Sequence, residues 1–291
     1  MHIGSRSSRE GEQPVSSRTF PRVRVVVPTN GERPEYLEQC LASVTRQREP
    51  VDVVIVGPAQ AVPALREAAE RHQCRFLVED DRGLSNAVNQ GWRDATTEYL
   101  AWLGDDDLLT EGSLTSASDE LDRVPEVAMA YGRLVIIDAA GRALYTVRPG
   151  TFASWFFRYG QNFVGQPGSL YRRTAVQRVG ALDPALRYAM DFDLHLRLLQ
   201  GGGMVYLPRV LGCFRVHPSS LTVTNPRPHD EKRRVMRRHL GRNALRLESC
   251  WWPIARGVSG AWGVTTKSGV IEATARNVNG LRAVARAARC C

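Results

Sequence analysis

The strongest constraint in this sequence is a fourfold alternation between Val23 and Leu103. Residues 23–27 (VRVVV) form a β-branched run closed by Pro28. Such a run reads as a strand buried in the middle of a sheet. Pro34 then opens a helix, with Leu37, Cys40, Leu41 and Val44 at helical spacing. Residues 51–56 read as a second buried strand, 63–71 as a short helix and 75–78 as a third strand. Leu84, Ala87, Val88, Gly91 and Ala95 mark another helix, and 99–103 is a fourth apolar strand. This order predicts an α/β protein with a doubly wound, mostly parallel, Rossmann-like sheet. Ligands of such sheets bind beyond the carboxyl ends of the strands. Those ends carry Pro28-Thr29, Gly57-Pro58, Glu79-Asp80-Asp81 and Asp105-Asp106-Asp107.

The second half has a different rhythm. Residues 127–131, 134–138 and 143–147 read as short antiparallel strands with a turn at Ala140-Gly141. Residues 152–159 read as an aromatic helix or turn. A strand at 168–171, a short helix at 174–179 and a helix at 191–200 follow, the last stopped by Gly201-Gly202-Gly203. Strands are expected at 204–207 and 212–217.

Four clusters could carry chemistry. Three adjacent carboxylates repel one another, so Asp105, Asp106 and Asp107 suggest a bound hard cation such as Mg²⁺ or Mn²⁺; a solvated acidic turn is the plainer alternative. Glu79, Asp81, Arg82 and Gly83 could bind a ribose, a base or a phosphate, or form an ordinary polar turn. Asp191 and Asp193 fall in the first turn of a helix, where the helix dipole favours a carboxylate. One of them could be a general base, or both could only complement the dipole. His217 closes an Arg-Val-His strand end and is a candidate metal neighbour, although a lone His is more often structural.

Together these segments resemble the family 2 glycosyltransferases with the GT-A fold, from about Val23 to about Thr222. Residues 25–29 (VVVPT), 33–37 (RPEYL) and 40–44 (CLASV) match the family's opening strand, loop and helix. Glu79, Asp81-Arg82-Gly83, Ala87, Asn89 and Gly91 match its E-x-D-x-G…A-x-N-x-G stretch, and residues 103–108 (LGDDDL) its DxD-type motif. Residues 168–183 match its acceptor-side segment. Residues 191–197 (DFDLHLR) match D-x-D-L-W-L-R with His195 in place of Trp, and residues 215–217 match R-x-H.

The resemblance implies inverting sugar transfer from a nucleotide-diphospho-sugar (UDP, dTDP or GDP) to a hydroxyl of a glycan, lipid-linked or secondary-metabolite acceptor. Pro28, Thr29, Arg33, Glu79, Asp81, Arg82, Gly83, Asn86, Asp105 and Asp106 would bind the donor. Asp107, Asp105 and His217 would hold Mn²⁺ or Mg²⁺. Asp191 would be the catalytic base, and Gln166, Asp193 and His195 would lie on the acceptor side. The acidic residue that usually ends the family's second strand is missing at residues 56–59 (VGPA), which leaves the base preference open. A catalytically silent sugar-nucleotide-binding or scaffold protein on the same fold is the alternative. A nucleotidyltransferase would need a Gly-rich triphosphate loop, which residues 28–32 (PTNGE) do not supply.

Charge divides the chain. Its 39 Lys plus Arg exceed its 30 Asp plus Glu, for a net +9, but residues 227–291 alone carry +10 and residues 1–226 carry −1. We therefore expect a flexible leader at 1–20, a GT-A domain at 21–226 (nucleotide half 21–110, acceptor half 111–226) and a basic, helical extension at 227–291. A basic amphipathic segment with Trp suits an anionic membrane surface, and no nucleic-acid-reading motif accompanies it. The longest uncharged runs, residues 53–65 and 159–171, are too short to span a bilayer, the leader carries no secretory pattern, and the scattered cysteines suggest neither zinc nor disulfides. A cytoplasmic protein, peripheral at the inner face of the membrane, is the expectation.

Overall fold

A computed structural model describes residues 20–160, 162–224 and 230–240. The leader up to residue 19 and the basic tail after residue 240 lie outside the described residues.

The first half follows the alternation closely. It contains β1 (Val23–Pro28), α1 (Pro34–Thr45), β2 (Val51–Gly57), α2 (Val62–Arg71), β3 (Arg75–Val78), α3 (Leu84–Trp92) and β4 (Tyr99–Trp102). β1 pairs in parallel with β2 and β4, and β2 in parallel with β3. Successive strand residues face opposite sides, so Val25, Val27 and Ile55 join α1 and α2 in one core while Val26, Val54 and Trp102 join α3 in the other. Gly91 permits that second contact. A Cβ there would sit 2.5 Å from a Val26 methyl, so α3 can lie this close to β1 only without a side chain at 91. The apolar run of β1 also contains Arg24, which is buried and ion-paired to Asp52 and Asp94.

The second half departs from expectation. Its elements are β5 (Leu108–Leu109), α4 (Ser113–Arg123), β6 (Met129–Ile137), β7 (Ala143–Val147), α5 (Ala153–Phe157), β8 (Leu170–Arg172), α6 (Arg173–Val179), α7 (Met190–Gly201), β9 (Met204–Arg215) and α8 (Leu221–Thr224). Two pairs of expected strands fuse into the long β6 and β9. β6 is antiparallel to β7 and β8 but parallel to β9. All nine strands make one mixed sheet in the order β3-β2-β1-β4-β8-β6-β9-β5, with β7 beside β6. α4 was not expected; it buries Leu114, Ala117 and Leu121.

Residues 230–240 form a further helix, α9. Val235 and Met236 are fully buried in the core that holds α7. The start of the basic extension is therefore packed onto the body rather than standing apart from it. Among the described residues no helix is long and apolar enough to cross a membrane.

Candidate active site

The carboxyl ends of β1, β3 and β4 open onto a cleft of about 810 Å³, within the size range of small-molecule sites. Pro28, Thr29, Arg33, Glu79, Arg82, Gly83, Asn86, Asp105, Asp106, Asp107, Gln166 and Asp191 all line it. The end of β2 contributes Val56 but not Gly57-Pro58. Gly57 is walled in, since a Cβ there would meet Leu65 at 2.4 Å and the Thr29 carbonyl at 2.9 Å.

One wall is the carboxylate cluster. Asp105 is 2% exposed and is held on two sides. Thr29 Oγ1 donates to its Oδ2 at 2.5 Å, and the Arg33 guanidinium donates to its Oδ1 at 2.6 Å. The same guanidinium donates to Asp106 Oδ2 at 2.9 Å, and His217 Nε2 lies 2.8 Å from that oxygen. Burial dominates at Asp105 and raises its pKa to about 6, against the opposing pull of Arg33 and Thr29. Burial also acts upward at Asp106, but the His217 hydrogen bond and the Arg33 charge prevail and hold its carboxyl below the usual range. Asp107 Oδ1 accepts the backbone N–H of Arg215 at 2.9 Å. The fully buried Arg215 guanidinium lies over the Tyr36 ring and donates to Asp106 O and Gln39 Oε1.

These groups suit a hard cation in chemistry. Asp105, Asp106 and Asp107 offer oxygens and His217 a nitrogen. In the described arrangement the Arg33 guanidinium supplies the positive charge between the carboxylates. No group of three or more His, Cys, Asp or Glu among the described residues stands ready-made as a cation cage.

The other wall is the head of α7. Asp191 is 8% exposed and lines the cleft. Its Oδ1 accepts the Phe192 N–H at 2.8 Å, which fixes the carboxylate at the positive end of the helix dipole. Behind it lies Tyr171, whose pKa is raised first by burial and then by the Asp191 charge. Tyr171 OH lies 3.0 Å from His195 Nε2.

Four expected site residues are absent from the cleft lining, namely Asp81, Asp193, His195 and His217, the last of which lies against Asp106. Asp193 is 1% exposed and tied to Arg197 at 2.8 Å and His239 at 2.7 Å, away from the cleft lining. His195 lies one helical turn beyond Asp191, fully buried against Tyr171 and the Phe157 ring. Neither lines the cleft. Asp81 does not line the cleft either; its carboxylate accepts from Asn86 and from the Arg82 N–H at an exposed turn. Arg187 and Tyr188, which the sequence reading passed over, do line the cleft, with the Arg187 guanidinium 5.5 Å from the Tyr188 ring centre. The only local signal for them was Pro184, which starts the turn into α7.

Comparison with known proteins bears on the family and the fold. The O-antigen biosynthesis protein RfbC of Myxococcus xanthus is 28% identical over 188 residues, a match covering 61% of this chain and 14% of that protein. Among solved structures, S. aureus TarS 1-349 in complex with UDP-GlcNAc superposes with a TM-score of 0.56 at 17% identity, covering 74% of this chain and 64% of that one. The mannosyltransferase PcManGT from Pyrobaculum calidifontis, in complex with GDP-Man and Mn²⁺, gives a TM-score of 0.53 at 20% identity, covering 96% of this chain and 90% of that one. These likenesses establish the GT-A fold. The family model described as Glycosyl transferase family 2 matches residues 24–180, more than half of the chain, and the protein therefore belongs to glycosyl transferase family 2, a family of sugar-transferring enzymes.

Proposed function

We propose that this chain transfers a sugar, with inversion, from a nucleotide-diphospho-sugar to an acceptor hydroxyl. The observation that carries the reading is one cleft lined by both the Asp105-Asp106-Asp107 cluster and Asp191. Thr29, Arg33, Glu79, Arg82, Asn86, Asp105 and Asp106 bind the donor, and Arg33 and Arg82 pair with phosphate oxygens. Asp105, Asp107 and His217 would hold Mn²⁺ or Mg²⁺, whose charge would stabilise the departing nucleoside diphosphate. Asp191 accepts the proton of the acceptor hydroxyl as its oxygen attacks the anomeric carbon. Gln166, fixed by its donation to the Trp102 carbonyl at 2.5 Å, faces the acceptor.

A single displacement needs one base and one stabilised leaving group. A retaining double displacement needs a further nucleophile, and the reading favours inversion because Glu79, Asp105 and Asp106 are assigned to the donor. The donor classes named with TarS and PcManGT, a UDP-sugar and a GDP-sugar, support a nucleotide sugar without choosing between them. We assign the acceptor to a surface polysaccharide or its lipid-linked precursor, in keeping with the O-antigen protein. The exposed Arg233, Arg234 and Arg237 of α9 favour attachment to an anionic membrane face.

Replacing Asp191 by Asn tests the reading. Transfer should fall by about 10²–10⁴-fold, while calorimetric titration with the donor and Mn²⁺ should keep its affinity. Transfer at the wild-type rate would remove Asp191 from the role of base.

A further inference from the structure

The segment from Ala181 to Ala189 carries Asp191 into the cleft and lines it with Pro184, Leu186, Arg187 and Tyr188. It has no regular structure of its own, and Ala189, at the N-cap of α7, has no side-chain acceptor for the helix start. The backbone groups of the segment are instead satisfied from a distance. Asn89 accepts the Leu182 N–H at 3.0 Å and donates to the Leu182 carbonyl at 2.8 Å. Ser85 Oγ donates to the Leu186 carbonyl, and Arg197 donates to the carbonyls of Val179, Gly180 and Ala181.

The three N–H groups immediately before α7 all point at one carboxylate. Glu231 accepts from Arg187 N at 3.1 Å, from Tyr188 N at 2.6 Å and from Ala189 N at 3.1 Å. The helix that carries Glu231 is firmly seated. Val235 and Met236 are fully buried, Met236 packs against Gly160, Arg238 pairs with Asp183 at 2.6 Å and His239 lies 2.7 Å from Asp193.

We propose that Glu231 is a positioning residue for Asp191, an acceptor supplied from α9 that fixes the backbone leading into α7. The proposal rests on Asp191 being the base. Hydrogen bonds from backbone N–H groups to a carboxylate are charge-assisted and short, and a negative charge at this end of α7 complements its dipole. Without the carboxylate, three N–H groups lose their partner and the segment is free to shift. A displacement of about 1 Å in a reacting group can lower the rate about 10²-fold. The functional unit of this chain thus runs to residue 240, well beyond the 24–180 span of the family model.

Three variants of the full chain test this: Glu231→Ala, Glu231→Gln and Val235→Ala. The last loosens α9 in the core but leaves the carboxylate in place. Amide exchange across residues 184–190 should rise about tenfold or more in Glu231→Ala, while kcat falls about 10–100-fold and the donor KM stays within about threefold. Glu231→Gln keeps an acceptor oxygen and should recover part of the kcat. Val235→Ala should lower Tm and leave kcat close to wild type. The proposal is overturned if Glu231→Ala keeps its kcat, if exchange at 184–190 does not change, or if Val235→Ala lowers kcat as much as Glu231→Ala. Asp191→Asn separates the two assignments. If it is inactive while Glu231→Ala is fully active, only the positioning role falls; if it transfers at the wild-type rate, the base assignment falls and this proposal with it.

Discussion

The two walls of the cleft are built in opposite ways. The carboxylate wall follows directly from a strand, since β4 runs into Asp105–Asp107, and its side chains are held by side chains, namely Arg33, Thr29 and His217. The Asp191 wall is an irregular segment whose backbone is gripped by the side chains of α3, α7 and α9. One wall handles charge and the other handles shape. Substitutions should therefore fail differently on the two sides.

The largest separation is expected between Asp191→Asn and Asp105→Asn. The first should lose turnover and keep the donor. The second leaves Arg33 without its closest carboxylate, and we expect transfer to drop about 10²–10³-fold together with metal-dependent donor affinity. Titration of both variants with UDP- and GDP-sugars, with Mn²⁺ and with chelator, checks this. Equal donor affinity in the two would erase the contrast.

A smaller effect is expected at Arg215, which ties the carboxylate wall to β9. Arg215→Met removes the donors that serve Asp106 O and Gln39 Oε1. Both acceptors are only partly covered, so each lost hydrogen bond should cost about 1 kcal/mol, and the urea midpoint should fall modestly at unchanged m-value. An unchanged midpoint would mean that water replaces the guanidinium.

The smallest effect concerns pH on the Asp191 side. The Arg238 hydrogen bond first, and the Ala185 N–H next, hold the Asp183 carboxyl below its ordinary value. A carboxyl with a lowered folded pKa contributes stability above its unfolded pKa of about 3.9 and loses it as pH falls through the folded value. Arg238 is half-exposed, so solvent screens much of the pair. Amide exchange across residues 184–190 should rise modestly below about pH 4 in the wild type, and Asp183→Asn should show the higher exchange already at neutral pH. A flat profile in both would remove Asp183 from the docking of α9.

The sequence made the first half legible because each strand there is a local object, an apolar run with a Pro or carboxylate stop. Asp105–Asp107 and Asp191 were legible for the same reason, each lying next to a clear element boundary. The second half resisted because its pairings are distant. Gly132 interrupts the pattern of β6, and Pro208 that of β9, so each strand reads as two. Nothing local says that β9 runs parallel to β6 across more than 60 residues of chain. α4 was lost in its Ser, Thr and Asp content despite Leu114, Ala117 and Leu121. Asp193 and His195 share a motif with Asp191, but a helix turns about 100° per residue, and neighbours in a motif need not share a surface. Glu231 looked like one acid in a basic extension; only the folded chain brings it to residues 187–189.

β9 has a mechanical consequence. It is continuous from Met204 to Arg215 and is bonded to β6 along most of its length and to β5, directly after Asp107, near its end. The halves of the chain are joined in one sheet by the antiparallel pairing of β4 with β8, and β9 ties β5 and β6 together beside that seam. The halves cannot swing apart as two jaws on a hinge. Whatever enters or leaves the cleft must then do so by the yielding of side chains and short segments at its mouth, above all the irregular segment that leads into α7.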